Sequence, residues 1–311
     1  MRLIILCLVT IVPLMAADPP VDSTLVAELT ADVAMLGERI GERNTVRYDQ
    51  LIAARDNISA VFTAVGLPVS RQDYQAGGRL CSNVIATVAG RDPSAPAWVV
   101  GAHYDSVRGS PGANDNGSGV AGLLALARRL KPGAQTAPIR LVAFVNEEPP
   151  FFQTAQMGSM VYAASLAAAK ETIAGMISLE TIGCFSDEKG SQRFPHPSLG
   201  ALYPSTGNFI AIVGNAANQP LVERVRAAFD AARCGMPSQP FAGPETLPGV
   251  GWSDHWAFWQ HGYAAVMITD TAPFRDDHYH TPDDKPAHVD HARLAQVVAG
   301  SLTAIRIMAG P

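Results

Sequence analysis

A repeated switch between two hydrophobic periods is the feature that most constrains how this chain can fold. Six short apolar or β-branched runs read as strands: "NVIATVAG" (83–90), "AWVVGAHY" (97–104), "IRLVAFV" (139–145), "AGMISLE" (174–180), "NFIAIVG" (208–214) and "AAVMIT" (264–269). Between them, "GSGVAGLLALARRL" (117–130), "GSMVYAASLAAAK" (158–170) and "PLVERVRAAFDAAR" (220–233) carry helical spacing, and "DHARLAQVVAGSLTAIRIM" (290–308) ends the chain as a further helix. Near-continuous apolar strands need cover on both faces, and their alternation with helices favours parallel crossovers. The predicted fold is α/β, a three-layer α/β/α sandwich with a mixed, largely parallel central sheet. Residues 22–40 and 46–65 have helix-like spacing ahead of the first strand, and Gly66-Leu67-Pro68 stops the second stretch. No repeat or low-complexity linker divides the sequence, so residues 18–311 are expected to form a single domain.

In sheets of this kind functional groups gather at the carboxyl ends of the strands. His103 and Asp105 follow "WVVGA", Glu147 and Glu148 follow "LVAFVN", and Glu180 ends "MISLE". Asp115 lies in a Gly/Asn-rich loop, "GANDNGSG", that opens a helix, and His280 precedes Thr-Pro in "DDHYHTPDD" (276–284), a context that favours extended or turn backbone. Imidazoles and carboxylates converging on a strand-end crevice suit a divalent metal such as zinc. Asp105, two residues beyond His103 on the same side of an extended chain, could accept a hydrogen bond from the other imidazole nitrogen. Adjacent residues at a strand end point to opposite sides, so one glutamate can bind metal while its neighbour handles protons. Taken singly, each residue also has an ordinary reading: His103 as a core histidine, Asp115 as a turn or cap residue, the glutamates as an exposed strand end. Their common position at strand ends raises the joint case.

The order of these stretches, "GAHYDS", "GANDNGSG", "FVNEE", "SLETIG", "SDHWAFWQHGYAAV" and "HYHTPDD", resembles the co-catalytic di-zinc aminopeptidase family, zinc-dependent exopeptidases related to leucyl aminopeptidases and glutaminyl cyclases. The resemblance implies a zinc-peptidase catalytic domain that binds two Zn2+ ions and hydrolyses N-terminal residues from peptides. His103 and Glu180 would bind one zinc, Glu148 and His280 the other, and Asp115 would bridge them. Glu147 would be the general base and Asp105 the partner of His103, with His278 the alternative to His280. Glu180 stands where many relatives have Asp. Asp254 or His255, in the matched "WSDH", would orient ligands or substrate. A glutaminyl-peptide cyclotransferase with a single zinc, or a relative that keeps the fold without catalysis, remain the other readings of the same residues.

The sequence departs from that pattern just after the glutamates. Relatives commonly run almost directly to a Gly-Ser that opens the next helix, whereas "PPFFQTAQM" intervenes here before Gly158-Ser159. Phe151 and Phe152, tethered to the catalytic pair, are expected in the wall of the substrate pocket. At the other end of the chain, "MRLIILCLVTIVPLMAA" reads as a signal peptide over residues 1–17, implying a periplasmic or secreted protein with no membrane association after cleavage. Cys81, Cys184 and Cys234 then remain, enough for at most one intramolecular disulfide. A net charge of -5 with 16% charged residues argues against a nucleic-acid partner and favours small or neutral ones, such as peptides.

Overall fold

The computed structural model describes residues 22–311; the expected signal peptide lies outside them. Eight strands form one sheet in the order β1-β2-β4-β3-β5-β8-β6-β7: β1 (Val69–Ala76), β2 (Arg79–Val88), β3 (Ala97–His103), β4 (Ile139–Phe144), β5 (Ile173–Glu180), β6 (Ile210–Asn215), β7 (Ser238–Gly243) and β8 (Ala265–Thr269). The central run β4-β3-β5-β8 is parallel, as is β6-β7, while β1-β2, β2-β4 and β6-β8 are antiparallel. The sheet is therefore mixed, with its parallel part in the middle.

Side chains alternate along these buried strands and split the interior into two layers. Val100, Ala102, Leu141, Ala143, Ile177, Leu179, Val266 and Ile268 join one core cluster with helices α1 (Ser23–Ala34), α2 (Tyr48–Ala64), α3 (Gly117–Arg129), α5 (Gln219–Asp230) and α7 (His291–Met308). Their neighbours in sequence, Val99, Val142, Phe144, Met176, Ala265 and Met267, join the other cluster with α4 (Gly158–Ala168) and α6 (His255–Gln260). This period-two division is what a sheet covered on both faces requires, and it gives the α/β/α sandwich. No helix among the described residues is long and apolar enough to cross a membrane. Cys81, Cys184 and Cys234 are all free thiols.

Local chemistry fixes several boundaries that matter for the site. Asn116 caps α3 by accepting the Gly119 N–H at 3.1 Å. Gly119 has no room for a side chain, since a Cβ there would lie 2.2 Å from Asn116 Oδ1 and 2.5 Å from the Leu179 carbonyl oxygen. This close approach seats the start of α3 directly against the end of β5.

Candidate metal centre

The parallel register brings the carboxyl ends of β4, β3, β5 and β8 to one edge. His103 pairs with Phe144 across β3-β4, and Glu180 pairs with Thr269 across β5-β8. Asn146, at φ 62°, turns the chain out of β4 and delivers Glu147 and Glu148 beside His103. Thr181, Thr271 and His280 also have positive φ, at 41°, 64° and 59°. Left-handed backbone is unusual for the β-branched threonines, and such strain concentrates at functional sites.

The side chains of five of the predicted residues converge. His103 Nε2 lies 3.3 Å from Asp115 Oδ1 and 3.3 Å from Glu180 Oε2. His280 Nε2 lies 3.0 Å from Asp115 Oδ2 and 3.3 Å from Glu148 Oε2. Two ligand sets thus form, His103-Asp115-Glu180 and Asp115-Glu148-His280, with Asp115 offering a different oxygen to each. His278 is elsewhere: its Nδ1 faces Asp276 at 3.1 Å and its ring stacks on His288.

These sets fit zinc on distance and on chemistry. Tetrahedral bonds of about 2.0–2.1 Å put neighbouring ligand atoms roughly 3.3 Å apart, the spacing found here. Each set supplies one imidazole nitrogen and two carboxylates, leaving an open position as catalytic zinc sites do. Asp115 Oδ1 is buried without a hydrogen-bond partner. Without a cation the imidazoles must carry the charge. Burial pulls the His103 pKa down, but Glu180, Glu147, Asp105 and Asp115 outweigh it and hold it well above the ordinary imidazole value. Burial also opposes ionisation of His280, and Asp115 and Glu148 nevertheless lift it to about 10. Burial and the nearby Asp115 charge push Glu148 up to about 7. Burial is likewise the main cause that raises Glu147 well above a normal carboxyl, with Glu148 and Glu180 adding to it against the pull of His103. Such a crowd of acids around two imidazoles is relieved by positive charge.

Glu147 belongs to neither set, although its Oε2 is 3.9 Å from His103 Nε2. Asp105 holds both glutamates: its two carboxylate oxygens accept the Glu147 and Glu148 backbone N–H groups, each at 3.1 Å. Its Oδ1 stands 3.6 Å from His103 Nδ1, too far for the hydrogen bond expected from the sequence, and that nitrogen is buried without a partner. Glu180 is steered by Ser253, which donates to its Oε2 at 2.7 Å, and by Asn116 Nδ2 at 3.4 Å.

Two supports are given no role by the sequence reading. Asp284 accepts the backbone N–H groups of Asn114 and Asp115, at 2.7 and 3.0 Å, and so orients the shared ligand. Arg43 is completely buried, and its guanidinium donates to the carbonyls of Tyr104 (2.6 Å), Pro111 (2.6 Å) and Gly112 (2.7 Å), holding the loop that carries Asp105 and Asp115. Its partners are distant in sequence, and "DD" after Thr-Pro reads equally as a turn.

Beside Glu180 lies a cavity of about 100 Å3 with mostly apolar walls, among them Phe194, Phe209, Phe241, Val250, Trp252 and Tyr279. Phe151 and Phe152 do not line it. Phe151 is instead buried in the core under the β1-β2 turn, its ring close against Gly77. Asp254 is fully buried, and neither its oxygens nor the nearby Ser159 hydroxyl makes a hydrogen bond. Burial raises Asp254 to about 7. His255 bonds the Val250 carbonyl at 2.7 Å and packs edge-on against Trp259, and burial lowers it to about 4. It is a neutral packing group.

Residues 83–305 match the sequence pattern of Peptidase family M28. The chain belongs to peptidase family M28. It is thus a zinc-dependent metallopeptidase by family, on the fold predicted from its hydrophobic periods. The M28 chain is 38% identical over 284 residues to the uncharacterized protein YfbL of Escherichia coli (strain K12), covering 89% of this chain and 86% of that one. It is 33% identical over 208 residues to aminopeptidase YwaD of Bacillus subtilis (strain 168), covering 65% of this chain but only 38% of YwaD. In fold it is similar to an aminopeptidase from Aneurinibacillus sp. strain AM-1, with a TM-score of 0.68 and 18% identity over 92% of this chain and 94% of that one. The glutaminyl cyclase of Fimbriiglobus ruber is equally similar, with a TM-score of 0.69 and 20% identity over 94% and 97% of the two chains.

Proposed function

We propose that this M28 peptidase is an aminopeptidase that uses two zinc ions to remove N-terminal residues from peptides. The observation that carries the reading is the pair of ligand sets sharing Asp115. His103 and Glu180 would hold one ion, Glu148 and His280 the other, with Asp115 shared between the two sets. Such ions would supply Lewis acidity for the scissile carbonyl and for water. The carboxylate of Glu147, kept beside the ligands yet outside both sets, takes the proton from the attacking water and delivers it to the departing amine. Asp105 fixes the backbone from which Glu147 and Glu148 both project, so base and ligand keep their relative positions. The apolar cavity next to Glu180 receives the side chain of the N-terminal residue. The reading includes action on peptides outside the cytoplasm, after removal of residues 1–17.

Glutaminyl-peptide cyclisation is the second reading, supported by the fold shared with the Fimbriiglobus ruber enzyme. Assays on aminoacyl nitroanilides and on Gln-peptides separate the two. The aminopeptidase reading expects release of nitroaniline, lost in Glu147→Gln, and no ammonia from Gln-peptides. Ammonia release by a protein holding one zinc per chain would favour the cyclotransferase.

A further inference from the structure

The stretch that sets this chain apart, "PPFFQTAQM" between the glutamates and α4, has no part in the ligand sets. It is tied down on both sides. Toward the β1-β2 hairpin, Phe151 packs at Gly77, the Gly77 N–H donates to Gln156 Oε1 at 3.3 Å, and the Tyr74 hydroxyl donates to the Gln156 carbonyl at 3.0 Å. Toward the cavity, Gln153 Nε2 donates to the Gly251 carbonyl at 3.0 Å. Gln153 holds φ 54°, a conformation that glycine or asparagine adopts more readily. The backbone therefore gives no reason for glutamine here, and the side-chain amide does.

Gly251 precedes Trp252, which lines the cavity while leaving 42% of its surface exposed. On its other flank, Ser253 bonds Glu180 Oε2 at 2.7 Å and Ser178 Oγ at 2.9 Å. The residues flanking Trp252 are thus tied down on both sides, Ser253 to the Glu180 carboxylate and Gly251 to the inserted segment. A large, half-exposed aromatic side chain carried on such backbone at a cavity wall is placed to pack against an apolar group that enters.

We propose that Trp252 is a specificity-determining residue, packing its indole against the side chain of the substrate's N-terminal residue, and that Gln153 is the positioning residue that sets it. The proposal rests on the aminopeptidase reading. It makes large apolar or aromatic N-terminal residues better substrates than alanine, and it gives the inserted segment its purpose: a brace from the catalytic glutamates to the cavity rim.

The test compares zinc-loaded wild type with Trp252→Ala, Trp252→Phe and Gln153→Gly on phenylalanyl and alanyl nitroanilides. In Trp252→Ala the phenylalanyl-to-alanyl ratio of kcat/KM falls about tenfold, the scale of one aromatic packing contact, and the loss appears in KM. Trp252→Phe recovers most of the ratio. Gln153→Gly eases the positive φ while removing the amide, so its ratio falls roughly threefold with thermal stability retained. A ratio unchanged in Trp252→Ala overturns the role of Trp252, and a wild-type ratio in Gln153→Gly overturns the brace. Calorimetric binding of L-phenylalanine separates this proposal from the reading it rests on. A wild type that cleaves neither nitroanilide refutes the aminopeptidase reading, and equal L-phenylalanine affinity in wild type and Trp252→Ala overturns the assignment of Trp252 whatever the activity.

Discussion

Replacing Asp254 by Asn should stabilise the metal-free protein at neutral and alkaline pH and change little in acid. Asp254 is fully buried at the start of α6, and both of its oxygens lack a hydrogen-bond partner. Burial is the main cause that raises its pKa from 3.8 to about 7, with Glu180 and Asp105 contributing against His103. Below the unfolded value the carboxyl is protonated in both states and contributes nothing. As pH rises from there toward the folded value, the unfolded chain releases a proton that the folded chain keeps, so stability falls; above the folded value the penalty is complete. About three pKa units at ~1.4 kcal/mol each give an upper bound near 4 kcal/mol. An Asn amide has the same shape and carries no charge, so the expected gain is about 2–4 kcal/mol at about pH 8 and close to zero at about pH 4. Urea unfolding of metal-free wild type and variant across this range measures the difference. A gap that does not widen with pH, or a variant less stable at alkaline pH, refutes the reasoning.

Other substitutions test other parts of the centre. Glu147→Gln should lower kcat by at least about 100-fold, with zinc content by metal analysis unchanged. Asp105→Asn turns one acceptor of the Glu147 and Glu148 N–H groups into a donor, and chelator competition should show zinc affinity reduced by roughly 10–100-fold. In Gly119→Ala the new methyl would press on Asn116 Oδ1 and the Leu179 carbonyl, and denaturant unfolding should show a loss of about 1–3 kcal/mol. Arg43→Met leaves the buried Tyr104, Pro111 and Gly112 carbonyls without their donor, and the same measurement should show a loss of at least about 3 kcal/mol.

The parts of the fold that the sequence exposes are those where burial and period coincide. β3 is buried along its whole length, and its apolar run is plain. β1, "VSRQDYQA", is an edge strand with only its last residue buried, so no hydrophobic pattern marks it. β7, "SQPFAG", is half-exposed and carries Pro240 and Gly243, which read as loop; its pairing with β6 makes it a strand. His103, Glu147, Glu148 and Glu180 can be brought together from the sequence because strand ends fix their position without knowledge of packing, whereas Asp115 and His280 sit in loops and are placed there by the resemblance. Arg43 and Asp284 act through backbone atoms of residues far away in sequence, and residue type alone carries no trace of that. For "PPFFQ", tethering to the glutamates pointed to an aromatic pocket wall, but the hairpin claims Phe151, and Gln153 is the side chain that reaches toward the cavity.

Titration of metal-free protein with zinc, followed by calorimetry, distinguishes two ions per chain from one. Two are expected in the wild type, one in Glu180→Ala and one in His280→Ala, because each substitution opens only one of the sets joined by Asp115. A wild type that saturates at a single ion rules out the paired centre.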